Sequence, residues 1–141
     1  MDGYKRTIDW FLMALAMLSV SMASPAVHSS SCEAEVKVGD ISVRGPRFSF
    51  VSKDGGTPIQ VFAIRVYDAD GVVCSVSGRK PDGTIALHTG DWTYGDVPPG
   101  FKVDATCRSL ERGKRYRIYV TGQCLGSTSF LFEPHDGDKK P

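Results

Sequence analysis

The sequence predicts a small all-β domain, an antiparallel sandwich of about seven short strands with two disulfides, preceded by a secretory signal peptide. Three observations lead there. Past Cys32 the apolar residues recur with period two, and Gly, Asp and Pro clusters cut the runs at short intervals, as they do between strands of a sandwich or barrel. That region carries no convincing amphipathic helical pattern. All four cysteines (Cys32, Cys74, Cys107 and Cys124) follow an apolar leader, the arrangement of an exported, disulfide-bonded chain.

In the leader, Lys5 and Arg6 precede the apolar run WFLMALAMLSV (Trp10 to Val20), and the small residues SMASPA follow. This charged, apolar and small order is that of a signal peptide. The run is about half the length a spanning helix needs, so the mature chain is expected to hold no transmembrane segment. Cleavage is expected after Ala23, with Ala26 as the second choice. The expected organisation is signal peptide 1–23, linker 24–32, sandwich 33–133 and a polar, disordered tail 134–141. A mature chain of roughly 120 residues suffices for one domain with its own core.

The strands follow in order. AEVKV (34–38) and RFSFV (47–51) come first, with Phe48 and Phe50 on one face. IQVFAIRVYD (59–68) is apolar on both faces, Phe62, Ile64 and Val66 alternating with Val61, Ala63 and Tyr67, so it belongs in the middle of a sheet. DADG (68–71) supplies the turn into VVCSVS (72–77), giving a hairpin. Its start resembles a calcium loop, but Gly71 stands fourth where an EF-hand needs Gly sixth. In DWTYGDVPPGF (91–101), Trp92 and Tyr94 fall on one face of a short strand, and Pro99–Gly100 suits the central positions of a type II turn. Core packing is the reading for Trp92, whereas Tyr94 is open between core and surface. FKVDATC (101–107) is a strand and ERGK (111–114) a bend. RYRIYVTG (115–122) turns Tyr116, Ile118 and Val120 to the core, and Arg115, Arg117, Tyr119 and Thr121 to solvent or a partner. STSFLFE (127–133) is last.

LERGKRYRIYV, from Leu110 to Val120, resembles the end of strand E, the bend and strand F of fibronectin type III domains. Leu110, Gly113 and Tyr116 match the family's spacing. The resemblance implies that Tyr116 is the tyrosine-corner residue, its hydroxyl bonded back to the backbone near the bend, a structural role. The chain departs from that family in its two disulfides and in lacking an early Trp, so the broader immunoglobulin-like sandwich is the expected class.

Four cysteines allow three pairings. Zinc ligands come in close pairs, and these gaps are all wide, so no metal site is assigned. The expected pairs are Cys74–Cys107, with Cys107 ending the E strand, and Cys32–Cys124, pinning the N-terminal segment to the loop before the last strand.

The formal net charge of +1 points neither to nucleic acid nor to a strongly acidic partner. Three histidines occur, His28, His88 and His135, without a zinc-protease, nucleophile-elbow, phosphate-loop or dinucleotide motif. His88 and Asp91 fit a triad only on paper, since triads are defined by geometry. His88 reads as a surface residue at a strand end. No catalytic residue and no cofactor is assigned.

Two groups of candidate binding residues remain. Arg108, Arg112, Lys114, Arg115 and Arg117 stand against the single acid Glu111, a cluster able to meet an acidic partner, anionic lipid or cell-wall polymer. The alternative is a solvated strand face and bend. Trp92, Tyr94 and Tyr119 could form a sugar platform or a partner hot spot. The expected function is an exported, non-catalytic protein-binding or inhibitory module, of the periplasmic immunity or inhibitor kind, working through a sheet face or loops. A carbohydrate or cell-wall binding module and an enzyme with a scattered site are the alternatives.

Overall fold

The computed structural model describes residues 32–135. The signal peptide expected over 1–23, the linker up to 31 and the tail beyond 135 lie outside the described residues. The chain forms β1 (Ala34–Ser42), β2 (Gly45–Ser52), β3 (Gln60–Tyr67), β4 (Val72–Ser77), β5 (His88–Thr89), β6 (Trp92–Thr93), β7 (Lys102–Ala105), β8 (Arg115–Gly122) and β9 (Leu125–Leu131). One sheet has the order β1-β2-β6; the other runs β7-β4-β3-β8-β9, with β5 also paired to β3. All these pairs are antiparallel. No helix occurs among the described residues, so none there is long and apolar enough to cross a membrane. Seven longer strands match the expected ones, and β6 is the short strand expected at Trp92; β5, of two residues, is too short for a period to show.

The core joins the two sheets. Phe48 of β2 stacks on Trp92 of β6 at 5.8 Å between ring centres and meets Phe130 of β9 edge-on at 5.2 Å. Tyr116 of β8 stacks on Phe130 at 5.7 Å. Ile64 and Val66 of β3 and Ile118 of β8 are fully buried beside them. Such rings and aliphatic chains each contribute about 1.5–3 kcal/mol by leaving water.

Two expectations are corrected. In β3, Val61 rather than Phe62 joins Ile64 and Val66 inside, because a bulge between Val61 and Ala63 shifts the alternation. The strand expected over 101–107 as strand E ends at Ala105 and forms an edge of the larger sheet beside β4. The place beside β2 goes to β6 instead, through Arg47 opposite Thr93 and Phe48 opposite Trp92. Burying Trp92 is worth more there than pairing a strand as polar as KVDA.

The disulfides are Cys32–Cys124 and Cys74–Cys107. The first ties the segment before β1 to the β8–β9 turn, and so one sheet to the other. The second joins β4 to the chain just past its neighbour β7. For their sequence separations of 92 and 33 residues, chain entropy gives about 4.6 and about 3.7 kcal/mol. Two disulfides suit an oxidising compartment.

Connections follow local chemistry. Phe101 N–H donates to the Pro98 carbonyl at 2.9 Å across Pro99 and Gly100, and Gly100 has φ +79°, the type II geometry. The bend before β8 also places a glycine, Gly113, at φ +79°. There the Glu111 N–H donates to the Tyr116 hydroxyl at 2.9 Å, while the half-buried Leu110 packs against the core.

Candidate binding face

The site rests on strand alternation. In β8, Tyr116, Ile118 and Val120 point inward, which leaves Arg115, Arg117 and Tyr119 exposed on the outer face of the larger sheet. The β3–β8 register sets Arg65 opposite Tyr119 and Tyr67 opposite Arg117. Two arginines and two tyrosines thus occupy alternate corners of one cross-strand quartet.

The quartet is held by its own contacts. The Tyr67 and Tyr119 rings meet edge to face at 5.4 Å and 84°. Arg117 Nη1 donates to the Tyr119 hydroxyl at 3.2 Å and its Nε to Ser129 Oγ at 3.4 Å. Its guanidinium carbon stands 6.0 Å from the Tyr119 ring centre. These contacts orient Arg117 without neutralising it. Among the described residues no carboxylate lies within ion-pair distance of Arg65, Arg115 or Arg117.

The other half of the basic cluster goes elsewhere. Lys114 Nζ lies 3.0 Å from Asp68 Oδ2, and Arg108 Nη2 lies 4.0 Å from the same oxygen. The Asp68 side chain is only 4% exposed, and its Oδ1 accepts from the Asp70 and Gly71 N–H groups at 2.8 and 3.1 Å. The hydrogen bond from Lys114, then that from Asp70, holds the Asp68 carboxyl below its usual value; Asp68 in turn raises Lys114. This end of the cluster braces the DADG turn against the bend. Arg112 reaches the Pro134 carbonyl at 3.5 Å. Pro134 leads into His135, whose N–H lies 3.4 Å from the Ile41 carbonyl.

Trp92 and Tyr94 do not present their rings at the surface; they are 2% and 8% exposed. Trp92 Nε1 donates to the Asp96 carbonyl at 2.8 Å. The Tyr94 hydroxyl donates to the Arg108 carbonyl at 2.7 Å and lies 3.4 Å from that of Val73. Burial pushes the Tyr94 hydroxyl up to about 12, so it stays a donor. Both rings serve the core because each polar atom finds a backbone carbonyl there. For Trp92 this is the core packing expected from the sequence, and for Tyr94 it closes the choice between core and surface; neither ring stands as a surface binding residue. His88 Nε2 stands 3.0 Å from the Asp91 backbone carbonyl, while the Asp91 carboxylate pairs with Arg47 at 2.7 Å. The triad drawn from sequence does not assemble.

Sequence reasoning missed Arg65 and Tyr67, absorbed into a run read as apolar on both sides. A signal was present. The triplet Arg-aliphatic-Tyr occurs twice, as Arg65-Val66-Tyr67 and Arg117-Ile118-Tyr119. Antiparallel pairing of two such triplets crosses each Arg with a Tyr. Compared with known proteins, the chain matches no family model, no curated protein and no solved structure.

Proposed function

We propose that this chain is an exported, non-catalytic binding module that holds another protein on the outer face of its larger sheet. The observation that carries the reading is the Arg65, Tyr67, Arg117, Tyr119 quartet, two cations without a carboxylate beside two surface rings. Arg and Tyr are the residue types that concentrate binding energy in protein interfaces, because they combine large contact area with directed hydrogen bonds. The disulfides and the signal-like leader support export. A sugar-binding alternative loses Trp92 and Tyr94 to the core, and the two remaining tyrosines stand perpendicular rather than as one flat platform.

The same proposal extends to the fold, as an immunoglobulin-like sandwich. With β1, β2 and β6 as strands A, B and E, and β9, β8, β3 and β4 as G, F, C and C′, both sheet orders follow that plan. Tyr116 opens strand F with its hydroxyl on the backbone five residues upstream, as a tyrosine corner does. One departure is β7, which lies outside C′ but is reached only after strand E.

The test is capture from the exported proteins of the same cell, with oxidised wild type and the double variant Arg65→Glu, Arg117→Glu as baits. Retention of one protein by the wild type and its loss on the variant is the expected result. Equal retention by both baits removes the face from the reading. Retention on glycan or peptidoglycan alone transfers it to the carbohydrate class.

A further inference from the structure

The quartet is one end of a longer feature. A shallow depression of about 600 Å³ lies over Ala63, Arg65, Tyr67, Arg117, Tyr119 and Thr121. A second, of about 510 Å³, shares Ala63, Arg65 and Thr121 with it and continues to Ser77, Arg79 and Lys102. Together they form one trough running diagonally from β8 over β3 and β4 to β7. Its floor is made of small side chains, Ala63, Ser77 and Thr121. Bulk and charge stand along its sides.

The charge is one-sided. Arg65, Arg79, Lys102 and Arg117 line the trough. The carboxylates there are Asp68, which is engaged by Lys114, and Asp104, which lies 3.6 Å from Lys102. Arg79 stands over the Phe62 ring at 5.8 Å and has no carboxylate within ion-pair distance among the described residues. In a protein whose formal net charge is only +1, this places an excess of cations on one face. The field there favours an anionic occupant.

The register gives the trough its length. Ser77 is opposite both Ala63 and Lys102, and Ala63 is opposite Thr121, two residues on from the level of Arg65 and Tyr119. From Arg117 on β8 to Lys102 on β7 is three strand spacings across and four residues along, roughly 20 Å. An extended chain covers that in about six residues. Because side chains of an extended chain alternate, residues six apart point to the same side. Resting on the reading of this face as a protein-binding site, we propose that its occupant is an extended acidic segment of the partner, with carboxylates an even number of residues apart, about six, engaging Arg117 at one end and Arg79 and Lys102 at the other. Small residues between them pass over Ala63 and Thr121, and Arg65 meets the segment midway.

The test is an NMR titration of the ¹⁵N-labelled, oxidised protein, which reads affinities into the millimolar range. The probes are three Ser/Thr-rich peptides: one with Glu at positions two and eight, one with the same composition but adjacent Glu residues, and one with Gln for Glu. Polygalacturonate is the fourth. The expected result is that the spaced-Glu peptide shifts the amides of Ala63, Arg65, Arg117 and Thr121 and binds about tenfold tighter than the other two peptides. The variants Arg79→Gln with Lys102→Gln and Arg79→Glu with Lys102→Glu then weaken it in that order. Equal binding of the spaced and adjacent peptides, indifference to both variants, or shifts produced by polygalacturonate alone each overturn the proposal. Should the peptides fail while capture of the partner still depends on Arg65 and Arg117, the acidic-segment inference falls and the protein-binding reading stands.

Discussion

The two sides of β8 share one backbone and differ in what surrounds them. Inward, Tyr116, Ile118 and Val120 are all but sealed from water between two sheets. Outward, Arg115, Arg117 and Tyr119 meet no second layer among the described residues. A change on the inner side removes contacts and leaves a hole. A change on the outer side is resolvated by water and costs the fold little. Stability therefore belongs to one side of the strand and recognition to the other.

That contrast can be broken at several points. The largest effect is expected from replacing both Cys32 and Cys124 by Ser, since this bridge ties together the two sheets that make the inner side an interior. Denaturant unfolding is expected to show a loss of about 4.6 kcal/mol, with about 3.7 kcal/mol for the Cys74 and Cys107 pair. A reversed order would mean that the link between sheets is not the weaker joint. Next comes Ile118→Ala, at a fully buried position, with an expected loss of about 2–4 kcal/mol, set beside Arg117→Ala on the next residue, expected to stay within about 0.5 kcal/mol. Similar losses at the two positions would end the distinction.

Smaller effects sharpen the boundary. Tyr116→Phe leaves the Glu111 N–H without its acceptor, and Tyr94→Phe leaves the Arg108 carbonyl without its donor. Each is expected to cost about 1–2 kcal/mol in the same measurement. For Tyr94 there is also a pH signature: because its folded value is raised from 10.0 to about 12, the unfolded chain ionises first, and stability is lost as pH climbs above 10. Tyr94→Phe should flatten that decline; an unchanged slope would assign it to other groups.

The smallest effect concerns Asp68. Its folded carboxyl is lowered, chiefly by the hydrogen bond from Lys114, so its contribution is present above the unfolded value near 4 and disappears as pH falls through the lowered folded value. Melting curves from pH 7 to pH 2 should show Asp68→Asn below wild type at neutral pH and the gap closing in acid. A gap that persists at pH 2 would show that the turn, not the charge, makes the difference.

Much of the fold was legible because its signals are local. Alternation marked the seven longer strands, Asp-Gly turns separated β3 from β4, and Pro99–Gly100 announced its turn. The bond from the Glu111 N–H to the Tyr116 hydroxyl was readable from Leu110, Gly113 and Tyr116, because a fixed local spacing carries it. The candidate face was half legible. Arg115, Arg117 and Tyr119 were placed outward by the period of β8, but Arg65 and Tyr67 were absorbed into a run read as apolar on both faces, and the register that sets them opposite Tyr119 and Arg117 is not displayed by any single strand. The basic cluster read as one group because it is contiguous in sequence. Asp68, 46 residues away from Lys114, divides it.

By itself the sequence determined the class of structure and the inward side of β8, since each rests on alternation and turn chemistry; for the cysteines it left three pairings, of which the expected one formed. Only the tertiary structure decided that Tyr94 joins Trp92 in the core, that β7 is an edge of the larger sheet, and that four cations line one trough. Those outcomes depend on which distant backbone carbonyl, carboxylate or strand arrives opposite a given side chain, and strand register between segments far apart in the chain is what settles that.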